Sequence, residues 1–346
     1  MNDRILRAAR RQSTDTTPIW IMRQAGRYLP EYREIRGKVS FLELCKTPDL
    51  AAEVTVQPVR RLGVDAAIIF SDILIPVEPM GMTLELGDHG PHLPQPIRTA
   101  ADVAKLHGFD PETCCGFLAE AIRRTRAALN DSVPVIGFSG APFTLAAYMV
   151  EGGGSKNFMT IKRLVFEQPK VAHALFETIT SALIPYLKMQ VAAGAKLVQI
   201  FDSWGGELSP RDLREFSLPY LQRIVSELKA TGVPVIFFGT GMSGALPVLK
   251  EIGADVIGCD WRIEIDRARE VLGPDVAVQG NLDPLALFLP REALAERAEE
   301  IVRRAGPVGH IFNLGHGILP PTDPDAARAL VDAVHAAGTR LRASRS

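Results

Sequence analysis

Eight short apolar runs recur along this chain, at residues 18–22, 66–70, 134–138, 197–201, 234–238, 255–258, 276–278 and 310–314. Segments of helical period separate them, and that rhythm restricts the fold more than any other feature. Nearly continuous apolarity is what parallel strands need when helices cover both faces of their sheet. The intervening segments carry helix punctuation. Thr47-Pro48 and Ser209-Pro210 each set an N-cap residue before a proline at the first helical position. Gly63 and Gly232 follow the ends of two such segments, where a left-handed cap costs little only for glycine. Leu213, Phe216, Leu221, Ile224, Val225 and Leu228 trace one apolar helical face, and residues 325–337 supply a last helix. Strand and helix alternating eight times predict an α/β fold, a single (β/α)8 TIM barrel formed by residues 1–346 as one domain. An open doubly wound sheet is the runner-up, because periodicity does not reveal closure.

Residues 75–105 break the rhythm with Pro76, Pro79, Pro91, Pro94 and Pro96 and an alternating MTLEL stretch at 82–86. This reads as a Pro-rich insertion after the second strand, containing a small hairpin and walling the cleft, since loops at that end of a barrel build its active site.

With 39 basic and 40 acidic residues the net charge is −1, so no global field draws nucleic acid. An anionic ligand must therefore be met by a local basic cluster. The opening MNDRILRAARRQSTDTT lacks the apolar core of a secretory signal. No run approaches the roughly 18 apolar residues that span a bilayer. No membrane partner is expected, and the cytoplasm is the expected location. Cys45, Cys114, Cys115 and Cys259 show neither a disulfide framework nor zinc-site spacing. His89 and His92 lie in the insertion without ligand-spaced partners. The EGGGS stretch at 151–155 lacks the lysine and spacing of a P-loop, and reads as a hinge, a close backbone approach to ligand or a plain loop.

Catalytic groups in barrels come from the C-terminal ends of strands. The residues just after the eight runs are Arg23, Gln24 and Arg27; Ser71-Asp72; Ser139-Gly140; Asp202-Ser203; Gly239-Thr240; Asp260-Trp261; Gly280-Asn281; and Gly315-His316. Were residues 22–28 helical, Arg23 and Arg27 would share a face, with Glu31 available to Arg27 and no such neighbour for Arg23. Arg33 and Arg36 follow closely. Guanidinium forks grip carboxylates or phosphates two oxygens at a time, so the cluster points to an anion site. Asp72, Asp202 and Asp260 each end an apolar run, where a carboxylate is costly without a cation or N–H donors. Spacing alone does not rank them.

PIWIMRQAGRYLPEYREIR at 18–36 resembles the N-terminal signature of the uroporphyrinogen decarboxylase family. IIFSDIL at 68–74, GFSGAPFTLAAYMVEGGGSK at 137–156, QIFDSWGGELSP at 199–210 and FNLGHGILPPT at 312–322 agree in order and place. The resemblance implies a (β/α)8 barrel without metal or organic cofactor, usually a homodimer. It also implies removal of the four acetate carboxyl groups of uroporphyrinogen III, giving coproporphyrinogen III in haem biosynthesis. By motif, Arg23 and Arg27 would bind substrate carboxylates, with Arg36 a weaker third. Asp72 would face the pyrrole N–H groups with Tyr148 near it, Phe201 and Ser203 would line the cleft, and His316 would hold a propionate or acetate. The resemblance thus ranks Asp72 ahead of Asp202 and Asp260, gives Trp204 no catalytic role, and leaves the proton donor open between a water and Arg23.

Two other classes remain to be weighed. Zinc-dependent methyltransferases of the same general fold need a histidine–x–cysteine element and a later cysteine. Here Ile257 stands two places before Cys259, and no cysteine follows. A non-catalytic tetrapyrrole carrier would hold a porphyrin without releasing CO2, and the retained arginine pair and Asp72 argue against it.

Overall fold

The computed structural model describes residues 1–87 and 90–344. Its strands are β1 (Ala67–Ile68), β2 (Glu85–Gly87), β3 (Gly90–His92), β4 (Val135–Gly140), β5 (Leu197–Asp202), β6 (Val235–Gly239), β7 (Val256–Gly258), β8 (Ala277–Gln279) and β9 (His310–Ile311). Seven of these form one parallel sheet in the order β1-β4-β5-β6-β7-β8-β9, and β2 pairs with β3 as a separate antiparallel hairpin. A doubly wound sheet reverses its strand order at a switch point. This one runs in chain order throughout, which removes the runner-up. Every residue of β4 and of β6 is buried, as strands covered on both faces require.

Seven of the eight expected runs are thus strands, whereas 18–22 forms only an isolated parallel bridge, Ile19 with Phe312. The reason lies in its donors. Pro18 has no N–H, the Ile19 N–H goes to Asp65 Oδ2 (2.8 Å), that of Ile21 to Gln24 Oε1 (3.0 Å) and that of Met22 to Asn313 Oδ1 (3.0 Å). Side chains, two of them distant in sequence, take what a ladder would use. The run still meets both edges of the curled sheet. Phe312 N–H donates to the Pro18 carbonyl at 2.8 Å, and Asp65 N–H to the Ile19 carbonyl at 2.8 Å.

Asp65 anchors the opposite end of the sheet from the Asp72 cleft. Its carboxylate is about 1% exposed and accepts from Asn2 Nδ2 (2.7 Å), Arg4 Nη1 (3.1 Å) and His335 Nε2 (2.7 Å) besides Ile19. Four chain segments meet on one carboxylate. Burial alone would raise its pKa, but His335, the Ile19 N–H and Asn2 together hold it below the ordinary aspartate value.

The helix expected to carry Leu213 through Leu228 is divided at Ser217, into Pro210–Phe216 and Leu218–Lys229. Pro219 lies in the first turn of the second piece, where its missing N–H ends the ladder of the first. All six apolar residues are buried nonetheless. Ser209 caps its helix through the Asp212 N–H (3.2 Å), Thr47 makes no side-chain cap, and the last helix runs over Pro324–Ala343.

Within 75–105 a 3-10 turn, Ile75–Val77, is followed by the β2–β3 hairpin and a short helix, Ala100–Val103. The hairpin begins three residues later than the start of the MTLEL stretch. It is fastened to the glycine-rich turn, since Leu93 N–H donates to the Gly152 carbonyl at 2.9 Å and Gly153 bridges His92. A Cβ at Gly153 would lie 2.8 Å from the Pro91 carbonyl oxygen, so only glycine permits the approach. The close approach that EGGGS makes here is to the backbone of the hairpin. Glu151 meanwhile accepts from the Thr160 and Ile161 N–H groups at 2.9 and 3.0 Å, satisfying the first turn of the next helix.

Candidate active site

Asp72 follows β1, half-buried, with its Oδ1 accepting the Leu74 N–H at 2.8 Å. Burial raises its pKa, and the Leu74 N–H and the Arg23 charge only partly offset that. The other two aspartates are committed elsewhere. Asp202 is fully buried, accepts Thr144 Oγ1–H at 2.6 Å and is pushed up to about 6 by burial. Asp260, also buried, takes the Gly241 N–H (2.7 Å), the Arg262 N–H (3.0 Å) and Arg262 Nη1 (2.6 Å), tying two loops together. Asp72 is the one of the three with an open face.

The segment carrying Arg23 and Arg27 is a series of turns and bends, not the helix considered above. Arg23 is exposed and sits at φ +62°, a left-handed backbone that a non-glycine residue adopts only when its surroundings impose it. Among the described residues neither its guanidinium nor that of Arg27 has a hydrogen bond or ion-pair partner, so the Glu31 pairing open to Arg27 does not form. Arg33 Nη1 instead donates to the Arg27 and Tyr28 carbonyls, at 2.8 and 3.2 Å, shaping the turn. Arg36 Nη1 donates to the Val39 carbonyl at 2.7 Å. The charges of Arg36 and Arg27 both act on Tyr32, which packs 5.7 Å from Phe70 at the end of β1.

Tyr148, half-buried on the helix Pro142–Glu151, lies close enough to Asp72 and Arg23 to feel both charges. Burial raises its pKa, and Trp204 beside its hydroxyl opposes the rise. Trp204 packs edge-on to Tyr148 at 5.9 Å and against Phe158 at 4.8 Å, so the residue given no chemical part holds the tyrosine in place. Phe201, half-buried, stands edge-on between Phe138 (5.6 Å) and Phe238 (6.2 Å), with Ser203 half-buried two residues on.

His316 is half-buried, and its pKa is pushed down to about 4 by burial, then by Arg23 and Arg262. A neutral imidazole near pH 7 offers one N–H donor, not a charge. Arg23 therefore joins Asp72, Tyr148 and His316 into one electrostatic neighbourhood, while Arg27 and Arg36 meet at Tyr32 and Phe201 packs between Phe138 and Phe238. Sequence reasoning named Trp261 only by position and gave Trp204 no catalytic role, and it missed Arg262, whose guanidinium lies 4.5 Å over the Trp261 indole. Its position just beyond an expected strand end was the available signal. His92 Nδ1 lies 2.9 Å from Glu85 Oε2, while His89 falls outside the described residues. Among the described residues no three histidine, cysteine or acidic side chains converge as a metal site, and Cys259 is buried with its thiol raised to about 12.

Comparison with known proteins decides the kinship. The family model described as uroporphyrinogen decarboxylase matches residues 1–337. The chain belongs to the uroporphyrinogen decarboxylase family. A family member from Myxococcus xanthus (strain DK1622), named uroporphyrinogen decarboxylase, is 74% identical over 342 residues, 99% of this chain and 98% of that protein. One of the same name from Carboxydothermus hydrogenoformans is 52% identical over 337 residues, 97% and 96% of the two chains. Among solved structures, a methyltransferase from Methanosarcina mazei superposes with a TM-score of 0.82 at 20% identity, over 96% of this chain and 97% of its own. At that identity it speaks for the shared fold alone. A shared fold does not by itself fix the chemistry, so the function here rests on the residues of the site.

Proposed function

We propose that this chain is a uroporphyrinogen decarboxylase of haem biosynthesis, converting uroporphyrinogen III to coproporphyrinogen III and four CO2. The observation that carries the reading is one half-buried carboxyl, Asp72, within reach of the Arg23 charge, with the Arg23 and Arg27 guanidinium groups both unpartnered among the described residues. A substrate with eight carboxylates needs such a concentrated basic edge, because the protein's net charge of −1 attracts none of them. Protonating the ring carbon that bears an acetate arm makes a pyrrolic cation. The electrons of the breaking C–CO2 bond neutralise that ring, and the exposed methylene takes a proton to become methyl while the ring carbon loses its own. One proton is consumed for each carboxylate lost. Asp72 stabilises the transient cation. Burial disfavours its anion in the empty cleft, and the pyrrole N–H groups supply the donors that favour it once substrate is bound. Tyr148 stands beside Asp72, Phe201 and Ser203 line the cleft, and His316 donates to a side-arm carboxylate with Arg36 at the edge. The chemistry uses the macrocycle as electron sink, without a metal or organic cofactor.

The same reading takes residues 18–22 as the eighth stave of a closed (β/α)8 barrel in one domain, with 75–105 as an insertion walling the cleft. No helix of the described residues is long and apolar enough to cross a membrane. A cytoplasmic homodimer completes the proposal, on the family resemblance. The deciding experiment is an anaerobic assay with uroporphyrinogen, resolving products by carboxyl number. Stepwise appearance of species with seven to four carboxylates is expected, and a protein that retains the tetrapyrrole without CO2 release would be a carrier instead. Substituting Arg23 or Arg27 by alanine removes a charge-assisted contact of about 1.5–3 kcal/mol, so KM should rise roughly 10- to 150-fold in each. Unchanged KM in both would end the carboxylate-clamp assignment.

A further inference from the structure

We infer that Gly317 is a positioning residue for Arg23: the empty space at its α-carbon is where the arginine stem lies. A Cβ built on Gly317 would stand 2.7 Å from Arg23 Cγ and 2.9 Å from Nε, with Cδ nearer still. No ordinary Cβ tolerates such contacts. The backbone of Gly317 is outside the left-handed region, so the requirement for glycine there is the space it leaves, not its freedom.

The two strands of chain that form this contact are not free to separate. Ile318 N–H donates to the Met22 carbonyl at 2.9 Å, and Met22 N–H donates to Asn313 Oδ1 at 3.0 Å. On the far side of Arg23, Gln24 is fully buried, accepting the Ile21 N–H at 3.0 Å and donating to the Ala66 carbonyl at 3.0 Å. These bonds hold Arg23 at φ +62° from both neighbours. What can yield to a methyl group is the arginine stem, which is exposed and free to swing outward. Gly317→Ala therefore keeps the fold and moves the guanidinium away from Asp72 and His316.

The inference rests on the proposed function for its kinetic consequence and on geometry for its structural one, so two readouts are combined. The first is a double-mutant cycle with uroporphyrinogen under anaerobic conditions, comparing Gly317→Ala, Arg23→Ala and the pair. The second is the NMR titration of the His316 ring proton in each protein without substrate. Gly317→Ala should raise KM toward the Arg23→Ala value. The double variant should match Arg23→Ala within about twofold, since the glycine acts only through the arginine. The His316 midpoint should move upward in both single variants, as the cation leaves its side, with melting temperatures unchanged. Losses that multiply in the double variant, or a Gly317→Ala protein with wild-type KM and wild-type His316 titration, would overturn the inference. If the His316 midpoint rose in both variants while Arg23→Ala kept its KM, the positioning role would stand and the carboxylate-binding role of Arg23 would fall.

Discussion

Replacing Asp72 with asparagine should lower kcat for CO2 release about 10²- to 10³-fold, the usual loss when one preorganised electrostatic partner of a transition state is removed. The substitution keeps the shape and one acceptor oxygen, so the Leu74 N–H at 2.8 Å retains its bond and the loop should hold. What disappears is the negative charge beneath a ring that turns cationic only during reaction. On the proposed assignment, ground-state contacts with the side-arm carboxylates run through Arg23, Arg27 and His316, and the substitution leaves those untouched. The effect should therefore fall chiefly on kcat, with a smaller rise in KM from the lost acceptor for the pyrrole N–H groups. Anaerobic single-turnover measurement of CO2 separates the two parameters. Near wild-type turnover would remove Asp72 from the chemistry.

The largest stability effect is expected at Asp65, far from the cleft. Alanine there leaves the Ile19 N–H, Arg4 and His335 facing a buried void where one carboxylate had met them all. Removing one partner of a buried charged cluster costs about 3–5 kcal/mol, and thermal unfolding would register it directly. The pH dependence has a definite sign. Asp65 has a folded pKa below its unfolded value near 3.9, so its contribution is fully present above that unfolded value. It is lost as pH falls through the lower folded pKa. The stability gap between wild type and Asp65→Ala should be constant from neutrality down to about pH 5 and then shrink in acid. A gap below about 1 kcal/mol at neutral pH would show that the cluster is ornamental.

The strand positions were legible in the sequence because parallel strands covered on both faces need unbroken apolar runs, and β4 to β9 follow those runs closely. The 18–22 run has the same composition yet forms no regular strand. Its donors are captured by Gln24 close by and by Asp65 and Asn313, remote contacts that no local pattern encodes. The arginine pair was legible as a cluster of like charge, but its geometry was not. Turns rather than a helix present it, imposed by a left-handed residue. The ranking of the three aspartates likewise depends on partners remote in sequence, Thr144 for Asp202 and Gly241 for Asp260. Gly317 carried no signal at all beyond its place in a motif, since a missing side chain shows its purpose only beside what fills the gap.

The bonding of residues 18–22 sets a timetable for synthesis. Ile19 and its bridge partner Phe312 stand 293 positions apart (312 − 19). At about 5–20 residues per second, the ribosome needs roughly 15–60 s to make the second after the first. During that interval the PIWIM segment can bond to the Asp65 side of the sheet but has nothing on its other flank. An apolar stretch with one unpaired edge is the kind of surface that chaperones hold. The chain must therefore emerge with residues 18–22 waiting for residues 312–318, and the bonds that hold the neighbours of Arg23 are complete only when those arrive.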